Sequence, residues 1–216
     1  MKRVNGGKVL DFKDSKGLWV RSYTEVVGDI RYQYYTRAGI LWNSILSRCN
    51  PEGAEQKRNA AYRGTVNKFK DFQAFATWCQ TQHGYMYSDN GEYWPIDKDL
   101  TQPGCKIYSE ETCCFVSKMA NTILLSCRAT RGDYPVGVHR DIDSKSFIAQ
   151  CSGHVPRRLG AFCTPMEAHK AWQKAKLRQL TKTLEDNRLG AKAVEALKNL
   201  IAKIETDLEN GEETLC

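Results

Sequence analysis

The stretch IDKDL sets Asp97 and Asp99 two residues apart around Lys98. On an extended strand that spacing points both carboxylates to one face. Two hard oxygen donors on one face could hold Mg²⁺, which activates water or stabilises a leaving oxygen when a phosphodiester is cut. The same spacing suits ion pairs with Lys98, Lys106 or an arginine, because a D-x-D is weakly specific. A second group of chemically capable residues follows in GVHRDIDSKSFIAQCSGHVPRRLGAF, which carries His139, Arg140, Lys145, Gln150, Ser152, Arg157 and Arg158. Histidine there could act as a base or a metal ligand, or as a contact on a surface that lies against another molecule.

The elements that must position these residues can be read from periodicity. Before residue 40, KGLWVRSYTEVVG and IRYQYYTRAG place β-branched and aromatic residues between glycine-containing turns, which predicts short strands or an extended arm. From Ile40, Leu41, Trp42, Ile45, Leu46 and Cys49 recur at helical spacing. A second helix is predicted where Phe69, Phe72, Phe75, Ala76 and Cys79 recur, with Asn67 as its cap and Gly84 beyond its end. Its aromatic stripe reads as core rather than as a base-stacking surface, because stacking rings sit on exposed sheets or loops. Residues 92–125 then read as a strand bearing Asp97 and Asp99, a glycine-containing loop, a capped turn at Ser109 with Thr112, and a helix carrying Asn121.

The last third is more regular. Strands are predicted near 136–140, 146–151 and 157–162, joined by polar turns. Thr164 as cap, Pro165 in the first turn and Glu167 three residues after the cap form a capping box. Ala168, Ala171, Trp172 and Ala175 give that helix a mostly small face able to lie close on a short sheet, leaving the other sheet face open with Gln150 on it. Leucines 177, 180 and 184, a break at DNRLG, and the stripe Val194, Leu197, Leu200, Ile201, Ile204 and Leu208 predict a helical hairpin. Dimerisation through the C-terminal helix would bury the same leucines.

Charge is unevenly spread over a net of +7. Residues 131–183 carry 10 basic and 4 acidic residues, whereas residues 184–216 carry 4 and 8. A cationic middle suits a polyanion partner, and the acidic tail is expected to point away from it. Nine cysteines in irregular spacing, without a C-x-x-C pair or an apolar leader after MKRVNGGKVLDF, predict reduced thiols in a cytoplasmic protein with no structural zinc. No apolar run approaches the roughly 20 residues that a membrane span requires.

Two resemblances add to these readings. The run LWNSILSRC, VNKFKDFQAFATWC and IDKDL followed by KIYSEETCCFVSKMAN resembles bacteriophage HNH-type or homing endonucleases over about residues 40–125. That resemblance implies a ββα-type metal unit over 40–130, with Asp97, Lys98, Asp99 and Asn121 as its catalytic group and Mg²⁺ on Asp97 and Asp99. It departs from the pattern in having no histidine between His83 and His139, so Lys98, a carboxylate or His83 would replace the base, or the unit would retain DNA binding alone. The run G-V-H-R…K-S-F-I-A-Q…L-G-A-F-C-T-P-M-E-A-H-K-A-W resembles the APETALA2-like DNA-binding domain over about residues 131–183. It implies that the open sheet face enters the major groove of double-stranded DNA through His139, Arg140, Lys145, Gln150, Ser152, Arg157 and Arg158.

Together these readings predict an α+β chain. An arm or short strands over 1–39 lead to the small ββα-type unit with flanking helices. A three-stranded antiparallel sheet packed on one helix follows, and then an amphipathic C-terminal helix with an acidic tail over 184–216. The function they imply is a metal-dependent DNA endonuclease or a catalytically inactive DNA-binding protein made of the same modules, in the host cytoplasm.

Overall fold

The computed structural model describes residues 2–124, 132–143, 145–153 and 155–215. The fold is α+β, with six α-helices and several small sheets among the described residues. The chain forms two compact units, Met1–Phe115 and Val116–Cys216.

In the first unit, β1 (Lys2–Val9), β2 (Ser22–Val27) and β3 (Ile30–Thr36) form a sheet in the order β1-β3-β2, with β1 parallel to β3 and β2 antiparallel to it. Thr36 ends β3 and caps α1 (Arg37–Cys49), its hydroxyl accepting from the Gly39 N–H. Next come α2 (Ala54–Arg58), β4 (Val66–Asn67) and α3 (Phe72–Thr81). The cap of α3 is Asp71, whose carboxylate accepts from the Ala74 N–H, and not Asn67 as the spacing suggested. Asn67 is held in β4, which pairs in parallel with β8 (Ile107–Tyr108), so a non-local ladder moves the helix start four residues on.

The stripe on α3 is core, as read from its spacing. Phe75 and Cys79 are fully buried, and Phe75 meets Phe69 edge-on at 5.0 Å and Trp42 of α1 at 5.3 Å. Three two-stranded pieces remain: β5 (Ser88–Asp89) with β6 (Glu92–Tyr93), β7 (Ile96–Asp97) with β9 (Cys114–Phe115), and the β4–β8 pair. Burial pushes the Cys79 thiol well up and that of Cys49 up to about 11, so neither is a reactive thiolate at neutral pH.

The second unit opens with α4 (Lys118–Leu124) and continues with β10 (Val138–Arg140), β11 (Phe147–Gln150), β12 (Arg158–Phe162), α5 (Pro165–Leu184) and α6 (Ala191–Asn210). The three strands form an antiparallel meander in chain order, within two residues of the predicted limits. Both halves of the predicted capping box are present at Thr164 and Glu167. The α5 helix packs on all three strands, and Leu180, Leu197 and Ile204 are fully buried in the unit where α5 and α6 pack as the expected hairpin.

The acidic tail does not point away. Gln173 donates to the carbonyl of Glu212 and to the hydroxyl of Thr214, both at 3.0 Å. His169, fully buried, bonds through Nδ1 to the Val136 carbonyl at 2.9 Å, and its Nε2 accepts the Thr214 N–H at 3.0 Å. A carbonyl can only accept, so the proton sits on Nδ1 and the ring is neutral. Two buried polar side chains whose partners lie in the tail thus hold it against α5, which outweighs the charge argument.

Candidate nucleic-acid interface

Pairing register decides which C-terminal residues share a face. Val138, Ala149 and Gly160 are in register, and Ala149 is fully buried on the side that α5 covers. His139, Ile148 and Ala161 form the next row, so they point the other way, and Gln150 joins them with Arg158 opposite. The ladder shifts register between Ala149 and Gln150, which turns Leu159 onto the helix side while Arg158 stays outside. The outer face is an open groove of about 450 Å³ lined by His139, Ile142, Ile148, Gln150 and Arg158, with Arg140, Asp141 and Asp143 at its end.

Period-two alternation alone was not enough here. Ile148 lines the outer groove yet is only 4% exposed, so it sits low between its longer polar neighbours on that face. Arg140 is in register with Phe147 and Phe162, the face opposite His139, and so does not project beside it as expected. Lys145 occupies the turn between β10 and β11 in a left-handed conformation (φ 56°). Ser152 follows β11, and its carbonyl accepts from Gln179 of α5 at 3.0 Å, so it is drawn to the helix side and is not part of the groove. Arg157 precedes β12 and receives the Cys151 N–H on its carbonyl. Among the described residues, Arg140, Lys145, Arg157 and Arg158 are exposed and have no ion-pair partner.

One groove residue was missed in the sequence. Ile142 is 88% exposed at the tip of the β10–β11 turn. Its signal was an apolar residue between two aspartates in a polar turn. An apolar side chain at a groove mouth can contact a thymine methyl group, while Arg158 and Gln150 offer the forks that match guanine and adenine edges.

The acidic motif is built differently from its prediction. The strand ends at Asp97, and the Asp97 carboxylate accepts the Asp99 N–H at 2.7 Å, so the chain turns and the two acids do not share a strand face. Burial pushes the Asp97 carboxyl above its ordinary range. Lys98, only 3% exposed, donates to Asp99 at 2.5 Å and to the Cys105 carbonyl at 2.6 Å. The lysine thereby closes the 97–105 loop and is not free to act as a base. This donor set does not fit Mg²⁺: one carboxylate holds an ammonium and the other a backbone N–H, and the lysine charge would repel a second cation. Among the described residues, no group of three or more His, Cys, Asp or Glu side chains is arranged to hold a metal ion.

Asn121 is on a helix, as predicted, and that helix belongs to the second unit. The Ser117 hydroxyl caps α4 by accepting the Ala120 N–H at 3.1 Å, and Lys176 of α5 donates to the Ile123 carbonyl. The turn at Ser109 is present, with Ser109 and Thr112 hydroxyls each accepting the other's N–H. His83 lies past α3 against the edge of Tyr87.

The turn can be tested as structure. Lys98→Met keeps the stem and removes the charge, and it is expected to change stability by no more than about 1 kcal/mol. Asp99→Ala strands a buried ammonium and is expected to cost about 1–3 kcal/mol, below the full cost of breaking a buried pair because Asp99 is half exposed. Urea unfolding of both variants checks the order, and a Lys98→Met variant less stable than Asp99→Ala would refute it.

No family model, curated protein or solved structure matches this chain. No helix among the described residues is long and apolar enough to cross a membrane.

Proposed function

We propose that this protein binds double-stranded DNA through the outer face of its C-terminal sheet, as its resemblance to the APETALA2-like domain implies. The observation that carries the reading is the convergence of His139, Gln150 and Arg158 on the sheet face opposite α5, flanked by Arg140, Lys145 and Arg157, which are exposed and have no ion-pair partner among the described residues. Three strands at about 4.8 Å spacing span about 10 Å, a width that suits the roughly 12 Å major groove. Phosphate contacts from the flanking cations would set the position, and Arg158 and Gln150 would read base edges. His139 is in this reading a contact and not a base. No cleavage step is assigned, because Lys98 and Asp99 are committed to each other and Asp97 to its turn.

Fluorescence anisotropy with labelled duplexes tests the proposal. Binding should weaken with rising salt, and Arg158→Ala should cost about 1–3 kcal/mol on the preferred sequence, or roughly five- to 150-fold. Absence of binding at low salt would sink it. The same preparation with supercoiled plasmid and Mg²⁺ or Mn²⁺ should leave the plasmid intact. Nicking that disappears in the Asp97→Ala, Asp99→Ala double variant would replace this reading with the endonuclease.

A further inference from the structure

The N-terminal sheet has two unlike faces. In β3, Tyr32 and Tyr34 point one way, and Tyr34 stacks on its partner Tyr23 at 4.9 Å with Phe12 edge-on to Tyr23 at 5.8 Å. The one carboxylate in the three strands, Glu25, is in register with Tyr32 and so lies on this aromatic side. The other face carries Arg3 directly opposite Arg31, and Lys8 opposite Tyr35. Arg3 and Lys8 are exposed, and among the described residues none of the three cations has an ion-pair partner. The Arg31 Nε is a buried donor with no hydrogen-bond partner among the described residues.

Like charges directly opposite each other on a sheet destabilise it, and among the described residues no carboxylate pairs with Arg3 or Arg31 to offset this. Outside its own strands, the sheet packs on α1, which continues directly from β3, and on Phe12 at Tyr23. We infer that the Arg3–Lys8–Arg31 face is a second surface for double-stranded DNA, gripping the phosphate backbone. It rests on the DNA-binding reading above only for the identity of the polyanion. The grip is independent of sequence, because the polar side chains between the cations are already engaged: Asn5 accepts the Gly7 N–H, and Gln33 bonds to Thr24 and to the Tyr23 carbonyl. Charge is what this face has left to offer.

The test is the salt dependence of binding by the full chain to a labelled mixed-sequence duplex of about 30 base pairs. Neutralising Arg3 and Lys8 together, as Arg3→Gln and Lys8→Gln, should reduce the slope of log K against log salt by about 2 and weaken binding more than about tenfold at 0.1 M salt. Lys57→Gln with Lys198→Gln is the control for net charge, and protection of wild-type Lys8 from acetylation by saturating duplex is a readout that needs no variant. A slope unchanged by the double variant, an equal loss in the control, or an unprotected Lys8 each overturns the inference. If the double variant weakens binding while Arg158→Ala does not, this surface stands and the C-terminal one falls. The reverse pattern overturns this surface alone, and a wild-type protein that binds no duplex at low salt overturns both.

Discussion

Gly137→Ala is expected to unfold the C-terminal unit at moderate temperature and to abolish any DNA binding that depends on it. Gly137 precedes β10 at φ +80°, where a side chain is strained, and a Cβ there would lie 2.0 Å from Cδ1 and 2.3 Å from Cγ of Trp172. Trp172 cannot yield easily, being 5% exposed and stacked on the fully buried His169 at 5.3 Å. The Gly137 carbonyl also accepts the Gln150 N–H at 2.8 Å, so a backbone shift that relieves the clash would loosen the outer row of the sheet. Left-handed strain costs about 1–2 kcal/mol and overpacking about 1–3. Against a total stability of about 5–15 kcal/mol, their sum lowers the melting temperature of a unit this size by more than about 10 °C. Differential scanning calorimetry checks this, and a near-wild-type transition would show that α5 does not lie this close to the sheet.

Phe75→Ala should have a comparable effect on the first unit. Phe75 is fully buried between α1 and α3 and touches the rings of Trp42, Phe69 and Trp78, with centroids 5.0–6.0 Å away. Truncation loses the transfer free energy of the ring and leaves a cavity that three rigid aromatic neighbours cannot close, about 3–5 kcal/mol in all. Phe72→Ala, one turn earlier and only partly buried, should cost less than half as much. Trp42 and Trp78 flank the cavity, so tryptophan fluorescence during urea unfolding reports the loss directly. Equal costs for the two substitutions would mean that the stripe faces differently from the arrangement described.

The two predictions sit where sequence reading was most and least informative. The α3 stripe was legible because a helix repeats its contacts every three or four residues and needs no knowledge of its partner. The capping box at Thr164 and Glu167 was legible for the same reason, since both of its hydrogen bonds lie within one turn. The meander was legible because polar turns punctuate it and its strands pair with their neighbours in sequence. Trp172 at Gly137 was not legible, because 35 residues separate them and only the docking of α5 brings them together.

Residue type and spacing alone therefore determined the α+β class, the helices over 40–49 and 165–184, the three-strand meander and the helical hairpin. Each depends on contacts between residues close along the chain. Tertiary structure decided the rest, through pairings that no local pattern encodes. Parallel pairing of β4 with β8 moved the α3 cap from Asn67 to Asp71. The buried Lys98 ammonium, held by Asp99 and the Cys105 carbonyl, turned an apparent metal motif into a loop clasp. A register shift in β11–β12 put Arg158 outside and Leu159 on the helix side, the reverse of what unbroken alternation from Gly160 would give. Parallel pairing of β1 with β3 set Arg3 against Arg31, which no count of charges along the chain could reveal.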